Sequence, residues 1–350
     1  MAVKQGVGPI PEAELRNRCI TILETVGMPR EAAEHVAACL VLADLRGVSS
    51  HGVTRLPIYV ERIQRGSIDP KATPAVLREA PAAAALDGRK GHGIPTGVFA
   101  MDLAIEKART AGVGVVTVRN SNHFGMAWYF VKRAVEQDMI GVALSNADSF
   151  VAPWGAGRRY LGTNPLAIGL PAGEEVPVGL DMATSVVAHG KIKLAHDAGQ
   201  SIPLGWALDK DGNPTTDPAA ALEGALLPFG EAKGSAISLI IDLLCGPLAG
   251  ALTGPFIAPL FSETDRPQGL GHVFMAINVA AFTDLETYKR EMDEAIRRVH
   301  ALPPAAGFDR VLVPGELELE REREAREKGV YLPEPTAREL EELEKRLNLA

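Results

Sequence analysis

The run Ser49-Ser50-His51-Gly52-Val53-Thr54-Arg55-Leu56-Pro57-Ile58-Tyr59 sets an imidazole, a guanidinium and a phenol at four-residue intervals. On a continuous helix, side chains at that spacing share one face. An imidazole titrates near neutral pH and can exchange a proton with a substrate oxygen, and a guanidinium offers a fork of donors for a carboxylate. Together they suit proton exchange at an oxygen beside a carboxylate, as in a small 2-oxo or 2-hydroxy acid. Pro57 sets the helix start near Arg55 or Leu56, because a proline deeper in a helix removes a hydrogen bond and clashes with the preceding turn. His51 then lies in the loop leading in, still close to Arg55 and Tyr59. The same residues also fit a turn and a helix cap, with Arg55 and Tyr59 as surface decoration.

A second imidazole lies in Asn120-Ser121-Asn122-His123-Phe124-Gly125, where a β-branched run ends and a helical one begins. Polar groups at a strand's carboxyl end face ligands readily, so His123 is a second acid/base candidate; a turn histidine satisfied by its neighbours is the plainer alternative. Three more segments are polar or glycine-rich inside apolar surroundings: Gly162-Thr163-Asn164-Pro165, Asp181-Met182-Ala183-Thr184-Ser185 and Pro228-Phe229-Gly230-Glu231-Ala232-Lys233-Gly234. Asp181 or Thr184 also fits a helix cap. Lys233, beside flexible glycines, could reach an anionic group such as a pyrophosphate. His189 and His196 stand seven apart without a cysteine or acidic partner in register, so no metal site is expected.

These residues need elements to hold them. Apolar periodicity predicts two helices within residues 11–46, separated by Gly27 and Pro29, and a third from the Arg55 region to about Arg65, stopped at Gly66. Strand-like runs at 74–87 precede a helix over Ile94 to Ala111, a strand Gly114 to Val118, a helix Met126 to Gln137 and a strand Ile140 to Ser145. Further strands are expected at Leu166 to Pro171, Val178 to Asp181 and Val273 to Val279. Helices are expected at Ser185 to Ala198, Ala232 to Leu244 and Leu285 to Ala301. The tail, Glu316 to Lys328 and Thr336 to Leu347, pairs opposite charges at helical spacing and reads as exposed helices. The class is α/β or α+β with helical ends.

The chain of 350 residues is long enough for two domains, and its 46% hydrophobic and 23% charged residues are those of an ordinary globular protein. A net charge of −8 without a basic stripe argues against a nucleic-acid partner. Met1 to Pro11 lacks the charged-then-apolar order of a signal peptide, and the apolar stretch Ile237 to Leu252 is broken by Asp242, Gly246 and Pro247, too interrupted to span a bilayer. Cys19, Cys39 and Cys245 read as buried thiols of a reducing, cytoplasmic compartment. A dinucleotide fold of the Rossmann type would carry a glycine fingerprint between strand and helix. Gly88-Arg89-Lys90-Gly91-His92-Gly93 has the wrong spacing and Gly112-Val113-Gly114 lacks a third glycine, so that fingerprint is absent.

Taken in order, Ala43-Asp44-Leu45-Arg46-Gly47-Val48-Ser49-Ser50-His51-Gly52 with Arg55 and Tyr59, Asn120 to Gly125, Gly162 to Pro165, Asp181 to Ser185, Lys233-Gly234 and Pro314-Gly315-Glu316 resemble the type 2 malate/L-lactate dehydrogenase family, whose members include ureidoglycolate and sulfolactate dehydrogenases and cyclic-imine reductases. The resemblance spans about residues 10 to 335. It implies a nicotinamide-dependent oxidoreductase, using NAD with NADP as the alternative, on a non-Rossmann cofactor domain built around a largely antiparallel sheet. It further implies a helical domain made from both chain ends, residues 1–75 and 285–350, around a cofactor domain at 76–284, and a homodimer. On the same resemblance His51 and His123 are the acid/base candidates and Arg55 and Tyr59 bind the carboxylate side of a 2-oxo or 2-hydroxy acid, malate or L-lactate foremost, with a cyclic imine, ureidoglycolate or sulfolactate as alternatives. Thr163, Asn164, Asp181, Met182, Ala183, Thr184, Lys233, Pro314, Gly315 and Glu316 line the cofactor.

Overall fold

The helix starts obey the prolines. Pro11 and Pro29 immediately precede α1 (Glu12–Thr25) and α2 (Arg30–Leu45), and Pro57 sits in the first turn of α3 (Leu56–Gln64), where a missing N–H costs nothing. The computed structural model describes residues 6–349; the expectation of no leader at Met1 to Pro11 rests partly on Met1–Gln5, which lie outside the described residues, as does Ala350. Leu15, Cys19, Ile22 and Leu23 of α1 are fully buried, as the helical stripe requires. After α3 come β2 (Ala75–Ala80) and β3 (Ala83–Asp87), then α4 (Gly93–Ala111), β4 (Val113–Ser121), α5 (Trp128–Val135), β5 (Met139–Ser145), β6 (Leu166–Leu170) and β7 (Val178–Met182). The chain continues through α6 (His189–Asp197), β8 (Ala207–Leu208), β9 (Pro214–Thr215), α7 (Pro218–Glu223), β10 (Ala225–Leu226) and α8 (Ala232–Leu243). It returns through β11 (Leu270–Asn278) and ends with α9 (Leu285–His300), α10 (Glu316–Lys328), β12 (Val330–Leu332) and α11 (Glu334–Arg346). Before α1, β1 (Val7–Ile10) pairs with β12.

Seven strands form one sheet in the order β2-β3-β4-β11-β5-β6-β7. Every neighbouring pair is antiparallel except β3 and β4. The expected largely antiparallel, non-Rossmann sheet is therefore the one observed. Phe274 in central β11 stands opposite Val116 on one side and Ala143 on the other. Helices α4 and α5 cover one face, and Ile241 and Cys245, from α8 and the turn after it, pack on the other with Leu144 and Val273. The chain ends meet: α10 lies against α2, α11 against α3, and the Arg46–Glu322 ion pair ties α10 to the end of α2 at 2.9 Å, both side chains buried. Helix α9 is instead fastened to the sheet's surroundings, by Lys289 to Asp138 and by Asp293, which accepts the backbone N–H groups of Gly173, Glu174 and Glu175.

Two expected helices are shorter than their sequence patterns. The segment before His189 runs extended, with Val186 donating to the carbonyl of Leu227 and Ser185 bridged to Pro228, so α6 begins four residues after Ser185. Helix α5 stops at Val135 because Asp138 takes a left-handed backbone, φ 57°. All three cysteines are buried and free. No described helix is long and apolar enough to cross a membrane.

Candidate active site

Two successive 3₁₀ turns, Ser49–His51 and Val53–Arg55, carry the first histidine and the arginine, and α3 begins only at Leu56. Asp44, at the end of α2, organises them: its Oδ2 accepts the Val53 N–H at 2.8 Å. A side chain at Gly52 would place its Cβ 2.1 Å from that carboxyl group, so only glycine permits the approach. Burial raises the Asp44 carboxyl to about 7, against the hydrogen bond that favours its ionised form. Because 3₁₀ turns hold three residues, the four-residue spacing of His51, Arg55 and Tyr59 does not line up one face.

His51 and His123 stack with ring centroids 5.7 Å apart and 20° between planes, both half-buried in the wall of a cleft of about 410 Å³, within the range of small-molecule sites. Strand β4 delivers His123 past its carboxyl end, and Gln268, just before β11, holds it by accepting its backbone N–H at 2.9 Å. The surrounding protein lowers the proton affinity of both imidazoles, through removal from water first and then through the charge of Arg55. The Arg55 Nε donates to the Ser50 carbonyl at 2.7 Å, and the guanidinium lies 5.1 Å over the Phe261 ring. Its two terminal nitrogens have no hydrogen-bond partner among the described residues; Arg55 itself does not line the cleft but stands at its edge, bonded to the carbonyl of the lining residue Ser50.

The opposite wall comes from β7 and the turn before α10. Thr163, Asp181, Met182, Ala183, Pro314 and Gly315 all line the same cleft as the two histidines. Gly315, φ 88°, brings this turn onto β7 so closely that a Cβ there would lie 2.8 Å from the Gly179 carbonyl oxygen. Asp181 Oδ2 accepts the Trp128 N–H at 2.7 Å, which caps α5. Arg46, Trp128, Asn146, Asp148, Gln268 and Glu318 also line the cleft and were not singled out as site residues from the sequence. Arg46 alone stood inside a recognised motif; the others are single polar or aromatic residues without a spacing signal.

Several expected site residues sit elsewhere. Tyr59 is fully buried and its hydroxyl lies 2.6 Å from Nδ1 of His123, so it reaches the histidine and not the cleft. Asn164 is buried: its amide donates to Ser238 and accepts the Ala147 N–H, tying loop to helix. Thr184 Oγ1 donates to the Thr163 carbonyl at 3.0 Å, a brace behind the cleft wall. Glu316 turns back to accept the Val313 N–H and to meet His300 at 2.9 Å. Lys233 is exposed in the first turn of α8 and does not line the cleft. Asn164, Thr184 and Glu316 each close a local backbone demand, and their motif neighbours Thr163, Ala183 and Gly315 face the opening.

A family model described as malate/L-lactate dehydrogenase matches residues 10–341. The chain is 42% identical over 339 residues to an L-sulfolactate dehydrogenase of Methanocaldococcus jannaschii, covering 97% of both. It is 42% identical over 315 residues to a malate dehydrogenase of Pyrococcus abyssi, covering 88% of this chain and 86% of that one. The solved structure of malate dehydrogenase from Pyrococcus horikoshii is similar with a TM-score of 0.92 at 34% identity, covering 100% of this chain and 98% of the other.

Proposed function

The chain belongs to the malate/L-lactate dehydrogenase family and is a nicotinamide-dependent dehydrogenase of that type; on this premise we propose that it interconverts malate or L-lactate with the 2-oxo acid, using NAD. Sulfolactate stands on equal footing, because the sulfolactate and malate relatives match this chain equally closely. Malate and sulfolactate are both 2-hydroxy acids with a second anion on C3. The observation that carries the reading is the stacked pair His51 and His123 facing, across one cleft, the backbone strip Asp181 to Ala183 and the Pro314-Gly315 turn.

The residues present fit a nicotinamide dinucleotide. The cleft is walled by closely approaching backbone at Gly179 and Gly315 and by Met182, Ala183 and Leu270, a mostly apolar slot for a flat ring, while the Trp128 ring beside it is covered by Arg46. When bound, the cofactor takes up or supplies a hydride. The chain's own residues do the rest: the open Arg55 fork holds the carboxylate and fixes which face of C2 is presented, and an imidazole exchanges the proton at the C2 oxygen. Bound carboxylate also offsets the Arg55 charge, which raises the proton affinity of His51 when an imidazolium is needed. Arg46 is the one arginine or lysine lining the cleft among the described residues, and Glu322 occupies it, while Arg55 stands at the cleft's edge on the carbonyl of Ser50. Asp181 and Glu318 would repel a 2′-phosphate, which supports NAD over NADP.

We further propose a cytoplasmic homodimer. The outer face of α8 exposes Ile237, Leu239, Ile240 and Leu243, and Leu248 follows, while Gly234, Ser235, Ser238, Ile241 and Asp242 are its buried residues; a contiguous exposed apolar face calls for a partner. In this proposal the chain-end helices supply the substrate side and the central region, 76–284 with α9 fastened to it, supplies the cofactor side. The test is a panel of pyruvate, oxaloacetate and 3-sulfopyruvate with NADH and NADPH. Oxidation of NADH with at least one of them is expected; no turnover of any 2-oxo acid with either cofactor would overturn the reading.

A further inference from the structure

The hydrogen bonds around His123 divide the labour between the two histidines. The backbone N–H of Gly125 donates to Nδ1 of His123 at 3.3 Å. A backbone N–H can only donate, so Nδ1 is an acceptor and the ring proton sits on Nε2. The Tyr59 hydroxyl, 2.6 Å from the same Nδ1, is then a second donor to it. Tyr59 is itself fully buried at 0% exposure, held against His92, whose ring meets it edge-on at 4.4 Å. His92 Nδ1 accepts the Ile94 N–H at 3.2 Å, which likewise keeps that ring neutral. An imidazolium at His123 would need a proton on the nitrogen that two donors already face. His51 has no such lock. Its Nδ1 meets only the Ser50 hydroxyl, at 3.0 Å, which rotates to donate or to accept and so tolerates either charge state.

We infer that Tyr59 is a positioning residue that sets the tautomer of His123, holding it neutral with Nε2–H as a fixed hydrogen-bond donor in the cleft wall and leaving His51 to carry the transferred proton. This deepens the proposed dehydrogenase reading and rests on it. In reduction, C2 gains hydride, the C2 oxygen accepts the hydrogen bond of His123, and a proton passes from the His51 imidazolium to that oxygen; His51 regains its proton from water. The charged or titratable groups around His123 are Arg55, Tyr59, His51, His92 and His272; of these Arg55 carries the positive charge that disfavours a proton on either catalytic imidazole, and the hydrogen bonds at Nδ1 distinguish the two.

The test is long-range proton–nitrogen NMR on the full protein labelled with ¹⁵N-histidine, with His123→Asn identifying the His123 signals. At pH 7 His123 is expected as the Nε2–H tautomer, and an Nδ1–H tautomer or an imidazolium there would overturn the proposal without any variant. In Tyr59→Phe, tautomer mixing is expected with kcat about tenfold lower and the Kd for NADH within about twofold, the loss of one hydrogen bond. An unmixed Nε2–H signal in that variant, whatever its turnover, removes Tyr59 from the role. His51→Asn is expected to lose turnover roughly a thousandfold while His123 keeps its tautomer; turnover within tenfold of the wild type would overturn the assignment of the proton to His51. Absence of turnover with every 2-oxo acid counts against the dehydrogenase reading and leaves the tautomer measurement standing.

Discussion

His272 ties the stability of the sheet to pH. It is fully buried in β11, with Nδ1 2.8 Å from the Ser145 hydroxyl of β5 and Nε2 2.8 Å from the Ser121 hydroxyl of β4, so one ring pins three strands beneath the cleft. Phe124, next to His123, stacks on it at 4.8 Å with 6° between planes. Burial lowers its pKa from 6.5 to about 3. The unfolded chain therefore binds a proton on this ring throughout the interval that the folded chain refuses it. Its contribution is complete above pH 6.5 and is lost as pH falls toward 3. From 6.5 down to pH 5, at about 1.36 kcal/mol per unit, the loss is about 2 kcal/mol. That is a sizeable share of a typical net stability of roughly 5–15 kcal/mol. The perturbation is His272→Gln, which keeps a donor and an acceptor but does not titrate. Denaturant titrations at pH 7 and pH 5 measure it: the variant is expected to be less stable at pH 7 by about 1–3 kcal/mol, and the deficit to shrink by about 2 kcal/mol at pH 5. A deficit independent of pH would refute the reasoning, because it would mean that the folded ring accepts a proton as readily as the unfolded one.

Arg55→Lys keeps the charge but loses the planar fork, so KM for the 2-oxo acid should rise roughly 10- to 100-fold with the NADH Kd unchanged, as read by steady-state kinetics and fluorescence titration. Gly52→Ala drives a methyl into the Asp44 carboxyl; thermal unfolding should show a loss of about 1–3 kcal/mol, and kcat/KM should fall with it because His51 and Arg55 ride on those turns. Glu318→Lys replaces a repelling acid in the cleft with a cation, and the NADH-over-NADPH ratio of kcat/KM should drop about tenfold, equivalent to ~1.4 kcal/mol. Ile240→Asp, on the exposed face of α8, should shift the mass seen by light scattering from dimer to monomer; an unchanged mass would place the interface elsewhere.

Much of this fold was legible because periodicity is local. The stripe of α1, the proline-limited start of α3 and the β-branched run of β4 each state their own structure in a few residues. The strand order was not legible, since β11 enters between β4 and β5 from more than a hundred residues away and nothing in its own pattern names its neighbours. Strands β1 and β12 escaped for a related reason: four residues and three residues are too few to show a period, and they pair across the whole chain. The site shows the same division. Which segments would meet was readable from motifs, but which atom of each segment would face the cleft was decided by backbone demands. Tyr59 was expected at the substrate because the family resemblance placed it there with Arg55; after two 3₁₀ turns α3 begins at Leu56, and the phenol turns inward to His123. Asn164, Thr184 and Glu316 each spend their polar atoms on neighbouring backbone groups. The consequence is general to sites on loops: the polar residue that marks a motif is often the one that holds the loop's shape, and the cleft presents what that shape exposes, here Gly179, Ala183 and Gly315 and the two rings opposite.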